Sequence, residues 1–121
     1  MKKSILLVED TEDLGEMIFD ILKMSGYQVA WAKDGGDGVA QYLSVRPDLV
    51  VTDLVMPVMN GLEVIAKIRE VDSQNNVPII ILSAKAIPED QEAGFKAGAS
   101  LYLKKPCSSK LLLDSIKELL K

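Results

Sequence analysis

The sequence predicts an α/β fold: a single doubly wound sheet of five parallel strands, covered by five helices. Apolar segments of strand length alternate strictly with segments that carry apolar residues at helical spacing, five of each. Strict alternation indicates right-handed crossover connections, and hence a parallel sheet with helices on both faces. Because 121 residues suffice for one domain, we expect a single domain over residues 1–121.

The five predicted strands are short and mostly apolar along their whole length. The first covers 5–8, and the second, 27–31, shows the alternation typical of a strand. The third covers 48–53, the fourth 78–82, which is the segment richest in β-branched residues, and the fifth 101–103. Continuous apolar strands are typical of a sheet that is buried on both faces.

Helical spacing predicts the two helices of the first half. Apolar residues recur between Leu14 and Leu22, and Gly26 follows where that helix would end. A weaker pattern predicts a second helix over 36–43, ended by Arg46 and Pro47.

Three more helices are predicted by their caps. Asn60 can cap the third helix, the fourth covers 88–97 and ends at Gly98, and Ser108 or Ser109 can cap the fifth. The apolar residues at helical spacing are Leu62, Ile65, Ile68 and Val71 in the third helix and Leu112, Ile116 and Leu119 in the fifth.

Composition excludes several classes of function. Eighteen acidic and fourteen basic residues leave a net charge of −4, so direct nucleic-acid binding is not expected. No apolar run approaches the roughly 20 residues of a membrane helix. The absence of histidine excludes Ser-His-Asp catalysis, histidine-ligated zinc and a phosphohistidine on this chain. One cysteine excludes an internal disulfide and is consistent with the cytoplasm, where we expect the protein to reside.

Acidic and polar residues cluster at the ends of the predicted strands. Glu9 and Asp10 follow the first strand, Asp53 ends the third, Ser83 follows the fourth and Lys105 follows the fifth. In open α/β sheets ligands bind at the carboxyl ends of the strands, so these groups converge on one site if the first, third and fourth strands are central. Oxygen ligands without sulfur or imidazole select hard cations, and a small set suits magnesium.

A carboxylate at such a site can act as a nucleophile and form an aspartyl phosphate. Phosphoryl transfer needs positive charge around the phosphoryl oxygens more than it needs acid–base groups. Magnesium and Lys105 would supply that charge, and Ser83 would donate a hydrogen bond. The lack of histidine is no obstacle to this chemistry.

The sequence resembles the receiver domain of two-component response regulators. The matching motifs are ILLVED at 5–10, PDLVVTDLVMPVMNG at 47–61, PIIILSA at 78–84, AGA at 97–99 and YLKKP at 102–106. They cover almost the whole chain in the usual order and at the usual intervals. The resemblance implies a flavodoxin-like sheet with the strand order 2-1-3-4-5.

The resemblance also implies roles for individual residues. Asp53 would accept the phosphoryl group, and Lys105, rather than Lys104, would be the lysine of the site, usually joined to Pro106 by a cis bond. Ser83 and Tyr102 would form the switch, in which the tyrosine ring turns inward when the hydroxyl engages the phosphoryl group. The implied magnesium ligands are Glu9, Asp10, Asp53 and the backbone carbonyl of Val55.

In this family the phosphoryl group comes from a histidine kinase or a phosphotransfer protein. The implied output is a changed affinity for a downstream protein at the face formed by the fourth helix, fifth strand and fifth helix. The domain would be a signalling switch that assists its own phosphorylation and dephosphorylation, rather than an enzyme acting on other substrates. It would be a monomer or a phosphorylation-dependent dimer, and either a stand-alone regulator or part of a longer regulator or hybrid kinase.

Three other functions fit the pattern less well. A phosphatase or phosphotransferase of the haloacid dehalogenase type usually has a second aspartate two residues after the nucleophile, where this chain has Val55. A nucleotide or flavin site would need a glycine-rich loop after the first strand, but no glycine occurs there before Gly15. A phosphate-free interaction domain would not need the acidic residues.

Some of these residues, taken singly, could also have purely structural roles. Glu9 and Asp10 alone could cap the first helix, Tyr102 could be a packing aromatic, and Trp31 is interpreted as packing. Cys107 stands where the family often has Phe and is interpreted as a small apolar residue.

Overall fold

The computed structural model describes residues 2–121, so Met1, the first residue of the predicted domain, lies outside the described residues. Strands and helices alternate strictly along this part of the chain. The strands are β1 (Ser4–Val8), β2 (Gln28–Ala32), β3 (Leu49–Thr52), β4 (Ile79–Ser83) and β5 (Leu101–Lys104). The helices are α1 (Glu12–Met24), α2 (Gly35–Val45), α3 (Gly61–Val71), α4 (Pro88–Ala97) and α5 (Ser109–Leu119).

All four strand pairings are parallel, and the sheet order is β2-β1-β3-β4-β5. The predicted fold class and the strand order implied by the resemblance are therefore confirmed. β1, β3 and β4 lie in the centre, so their carboxyl ends are neighbours at one edge of the sheet. Asp53, which was predicted to end the third strand, lies one residue beyond β3.

Each face of the sheet carries its own hydrophobic core. On one face, strand residues pack against α2 and α3, with Tyr42 of α2 fully buried there. On the other face, strand residues pack against α1 and α5. Neighbouring residues of a central strand thus enter opposite cores, as Leu6 and Leu7 do. This two-sided burial explains why the central strands are apolar throughout.

Most of the predicted helix ends are confirmed. The side chain of Asn60 accepts a hydrogen bond from the Glu63 backbone at 3.0 Å, and the Glu63 carboxylate accepts one from the Asn60 backbone at 3.1 Å. Ser108, not Ser109, caps α5 by accepting from the Leu111 backbone at 3.0 Å. Val71 remains 38% exposed because it is the last residue of α3.

No helix within residues 2–121 could span a membrane. The longest, α1, has 13 residues, whereas a transmembrane helix needs about 20 apolar ones.

Val58, in the loop between β3 and α3, has a left-handed backbone conformation with φ of 68° and a fully exposed side chain. This conformation costs an L-residue about 1–2 kcal/mol, and β-branched residues rarely adopt it. We expect Val58→Gly to raise the free energy of unfolding by about 0.5–1 kcal/mol, since the relief exceeds the entropy that glycine adds to the unfolded chain. Urea denaturation of the metal-free protein measures the change.

The matched control is Val55→Gly, which alters an exposed valine of the same loop that lacks a positive φ. It should be neutral or destabilising. A stability gain of equal size in both variants would contradict the assignment of strain to Val58.

Candidate functional site

The candidate site lies at the carboxyl edge of the sheet, where the strand register brings four chain segments together. Val8 pairs with Thr52, and Thr52 pairs with Ile81. The residues that follow on β1, β3 and β4 therefore reach the same edge. Lys105 directly follows β5, and its backbone N–H donates to the Ser83 carbonyl at 2.9 Å.

Three carboxylates form the centre of this site. Glu9, Asp10 and Asp53 each present one oxygen, and these oxygens lie within 4.8 Å of one another. Glu9 is 2% exposed and Asp53 is 8% exposed, whereas Asp10 is only half-buried. Two like charges 4 Å apart cost roughly 4 kcal/mol at an effective dielectric of 20, so this cluster needs positive charge.

Lys105 supplies part of that charge. Its ammonium lies 3.0 Å from Glu9 Oε1 and 3.1 Å from Asp53 Oδ2. The Lys105–Pro106 peptide bond is cis, as the resemblance implied, and the neighbouring Lys104 is exposed. One ammonium against three carboxylates leaves an excess of negative charge.

The pKa of the Glu9 carboxyl is set by two opposing effects, burial and the nearby Lys105 ammonium. Its pKa is raised above the ordinary value, chiefly because burial disfavours the charged form, while the hydrogen bond from Lys105 opposes the rise. Its second oxygen, Oε2, accepts from the Thr11 backbone at 3.1 Å.

Ser83 and Tyr102 meet at one residue of the loop after β4. The Ser83 hydroxyl, almost fully buried, accepts a hydrogen bond from the Lys85 backbone N–H at 3.2 Å. The Tyr102 hydroxyl donates to the carbonyl of the same Lys85. Burial raises the pKa of the Tyr102 phenol, and the charge of Asp90 adds to the effect. Lys85 thus connects the two residues through its main chain.

The described geometry brings together the three acidic groups and the Lys105 ammonium, and it places Ser83 at the end of the neighbouring strand β4. The family model of the response regulator receiver domain matches residues 5–117 of this chain. The chain belongs to this family.

Curated relatives of this receiver domain are response regulators. Transcriptional regulatory protein PrrA of Mycobacterium tuberculosis is 38% identical over 117 residues, which are 97% of this chain and 49% of the relative. DNA-binding response regulator MtrA of Mycobacterium leprae is 35% identical over 97% of this chain and 51% of its own length. The receiver domain therefore spans about half the length of the curated relatives it matches.

Solved structures support the same assignment. Chemotaxis protein CheY4 of Vibrio cholerae has a TM-score of 0.94 and 30% identity, with coverage of 99% of this chain and 100% of that one. The receiver domain of sensor histidine kinase PA1611 from Pseudomonas aeruginosa has a TM-score of 0.91 and 32% identity, with coverage of 99% and 98%. That structure contains a magnesium ion coordinated in the active site cleft.

The residues of this receiver domain fit a magnesium ion. The three clustered donors are carboxylate oxygens, the hard ligands that magnesium prefers. Among residues 2–121, no hydrogen bond is made to the Asp10 carboxylate or to the Val55 carbonyl. The Asp10 carboxylate can therefore bind a cation without loss of a protein hydrogen bond.

Sequence reasoning missed three contacts that shape the receiver site. The Leu54 backbone N–H donates to Asp53 Oδ1 at 2.6 Å, and the Trp31 indole donates to the Glu9 carbonyl at 2.9 Å. The third is the link through Lys85. None had a signal in the sequence, because each contact uses a backbone N–H or carbonyl group. These groups are the same in almost every residue type, so the residue's identity does not reveal the contact.

Cys107 remains a packing residue, as predicted. It lies against the core beneath α1 and α5, and burial raises the pKa of its thiol. A raised pKa lowers the fraction of reactive thiolate.

Proposed function

We propose that this receiver domain of a two-component response regulator accepts a phosphoryl group on Asp53 from the phosphohistidine of a histidine kinase or phosphotransfer protein. The observation that carries the proposal is the position of Asp53: its carboxylate is held between the Lys105 ammonium and the Leu54 N–H, within 4.8 Å of two further acids. A carboxylate fixed beside a cation and a magnesium-type ligand set is poised as a phosphoryl acceptor.

In the proposed step, an Asp53 carboxylate oxygen attacks phosphorus and the P–N bond of the partner's phosphohistidine breaks. The electron pair of that bond stays on the imidazole, which takes a proton, and an acyl phosphate forms on Asp53. Glu9, Asp10, Asp53 and the Val55 carbonyl would hold a magnesium ion, which would supply positive charge to the phosphoryl oxygens. The Lys105 ammonium, 3.1 Å from Asp53 Oδ2, shares this role.

The switching step uses the link through Lys85. The Ser83 hydroxyl breaks its hydrogen bond with the Lys85 N–H and donates a hydrogen bond to a phosphoryl oxygen. The loop after β4 then moves, and the Tyr102 hydroxyl loses or changes its contact with the Lys85 carbonyl. Because Tyr102 packs against α4 at Gly94, this movement changes the face formed by α4, β5 and α5, where the downstream protein binds.

The domain acts in this proposal as a signalling switch that assists its own phosphorylation, not as an enzyme with other substrates. The relatives PrrA, named a transcriptional regulatory protein, and MtrA, named a DNA-binding response regulator, are about twice as long and match this chain only over part of their length. Direct contact of these residues with nucleic acid is not proposed, since their net charge is −4. We propose a cytoplasmic location and either a monomer or a phosphorylation-dependent dimer.

The test is the intact mass after incubation with acetyl phosphate, with and without magnesium. We expect a magnesium-dependent gain of about 80 Da that is absent in Asp53→Asn. The matched control is Asp20→Asn, an exposed aspartate of α1, which should gain the same mass as wild type. No gain from either acetyl phosphate or a phosphorylated phosphotransfer protein would favour the phosphate-free interaction domain.

Val55 should slow hydrolysis of the acyl phosphate. It follows Asp53 by two residues, is 59% exposed and has no polar group to orient an attacking water. We expect Val55→Asn to speed the loss of the phosphoryl group about tenfold, below the roughly 10²-fold contribution of a positioned general base. The measurement is the decay of the phosphorylated mass after removal of acetyl phosphate.

Val58→Asn provides the comparison for this rate, since it places the same amide on a fully exposed residue of the same loop. Its decay should match that of wild type. An unchanged or slower decay in Val55→Asn would be evidence against a role of this side chain in the lifetime of the phosphoryl group.

A further inference from the structure

Both backbone polar groups of Glu9, its N–H and its carbonyl, form hydrogen bonds with residues of the neighbouring strand β2. The Glu9 N–H donates to the Ala32 carbonyl at 3.0 Å, which continues the ladder between β1 and β2. The Glu9 carbonyl accepts from the Trp31 indole Nε1 at 2.9 Å. Trp31 pairs with Leu7 in the register, so its side chain reaches two residues along β1 toward the carboxyl edge.

The indole is itself held in place by α1 and by a neighbouring cation. Gly15 of α1 lies so close that a Cβ there would be 2.2 Å from the Trp31 ring. The Phe19 ring packs against the indole with a centroid distance of 6.2 Å. The Lys33 ammonium lies 4.9 Å from the indole centroid and pairs with Glu12 at 2.8 Å. These contacts leave the indole little freedom to rotate.

The carbonyl that Trp31 holds belongs to the peptide unit between Glu9 and Asp10. Rotation of that peptide would change the direction in which the two acidic side chains leave the main chain. Glu9 is already held through its side chain by Lys105 and Thr11, but no hydrogen bond to the Asp10 carboxylate exists within residues 2–121. The indole contact is therefore a main-chain constraint on where Asp10 can present its oxygen.

We propose that Trp31 is a positioning residue of the magnesium site, because its indole N–H fixes the Glu9–Asp10 peptide and so preorganises the two acidic ligands. This inference rests on the proposed magnesium-dependent function. The edge strand β2 contributes no ligand, but through Trp31 it would directly affect the affinity for magnesium. A single hydrogen bond of this kind corresponds to a change in affinity of about five- to tenfold.

The first test is the magnesium affinity of the unphosphorylated protein, measured by calorimetry. Trp31→Phe removes the donor and retains an aromatic ring, and we expect it to weaken magnesium binding about five- to tenfold. The matched control, Tyr27→Phe, removes a hydroxyl from another aromatic residue of the same core and leaves the indole hydrogen bond to Glu9 in place. Its affinity should stay within about twofold of wild type. Equal affinity in Trp31→Phe and wild type, or equal weakening in both variants, would overturn the inference.

The second test uses the wild-type protein and does not depend on a variant folding. Trp31 is the only tryptophan in the sequence, so a ¹⁵N-labelled sample gives one indole N–H resonance. Magnesium should shift this resonance with the same midpoint as the calorimetric titration. An indole resonance that stays unchanged at saturating magnesium would contradict the coupling.

The outcomes separate this inference from the proposed function. If wild type neither binds magnesium nor gains a phosphoryl group, the proposed function itself fails. If wild type does both while Trp31→Phe binds magnesium equally well, only the positioning role of Trp31 fails.

Discussion

Replacement of Lys105 by methionine is expected to lower the free energy of unfolding of the metal-free protein by about 3 kcal/mol, the low end for breaking a buried ion pair. Lys105 is the only cation within 4.0 Å of Glu9 or Asp53 among residues 2–121, and its side chain is 17% exposed. Without it, the three carboxylates face one another with no positive charge. Urea denaturation at neutral pH measures the loss.

Magnesium should reverse much of this loss. A cation that binds only the folded state stabilises it by mass action, and the site of Lys105→Met carries one more uncompensated negative charge than that of wild type. We therefore expect magnesium to stabilise the variant more than it stabilises wild type. Phosphorylation by acetyl phosphate should still be slower by about 10²-fold or more, because the ammonium no longer stabilises the transferring phosphoryl group.

Lys104→Met is the matched control, since it removes the same charge from the adjacent, exposed residue. Its stability and phosphorylation rate should stay close to those of wild type. If the metal-free stability of Lys105→Met equalled that of wild type, the ion pairs with Glu9 and Asp53 would not have the proposed compensating role.

Gly61→Ala is expected to be the most damaging change of a single methyl group near the site. Gly61 begins α3, and a Cβ there would lie 2.2 Å from the Asp53 carbonyl oxygen and 2.9 Å from the Leu54 Cα. Both atoms belong to the main chain, so no side-chain rotation relieves the contact. We expect a loss of about 2–3 kcal/mol in the free energy of unfolding.

The same contact should displace Asp53, the proposed phosphoacceptor. Since a misplacement of about 1 Å can cost about 10²-fold in rate, phosphorylation of Gly61→Ala by acetyl phosphate should fall by at least tenfold. The rate and the unfolding free energy are measured on the same preparation. A variant with wild-type stability would show that the β3–α3 loop can move aside.

Gly36→Ala provides the comparison for Gly61→Ala. Gly36 also lies in the first turn of a helix, but the nearest atom to a Cβ there is an Asp34 side-chain oxygen at 3.5 Å. Alanine fits at that distance and lowers the entropy of the unfolded chain. This variant should be as stable as wild type or about 0.5–1 kcal/mol more stable, with an unchanged phosphorylation rate.

Much of the fold follows from local patterns in the sequence. The apolar runs of β1, β3 and β4 and the helical spacing in α1 and α5 require only neighbouring residues, because each period is set by the backbone of one element. Asn60 as a helix cap was also readable, since a capping box involves residues only three positions apart. The choice between Ser108 and Ser109 as the cap of α5 could not be made from the sequence. Both residues have the same side chain and differ only in backbone conformation.

The candidate site was readable in outline for a similar reason. Parallel strands present their carboxyl ends at one edge, so acidic residues after β1 and β3 must approach each other once both strands are central. That order was implied by the receiver-domain resemblance rather than by periodicity. The left-handed backbone of Val58 was not predicted, because valine gives no local signal for it.

By itself, the sequence determined the fold class, the Asn60 cap and the residue types at the strand ends, because these depend on interactions within one element or on the general geometry of parallel sheets. Only the tertiary structure decided the contacts that tune the site. Lys105 reaches Glu9 across 96 positions of the chain, and Trp31 reaches the Glu9 carbonyl across 22. Tyr102 meets the Lys85 carbonyl across 17. These contacts join residues that are distant in the chain, and their geometry is set by the packing of whole elements, which local sequence patterns do not encode.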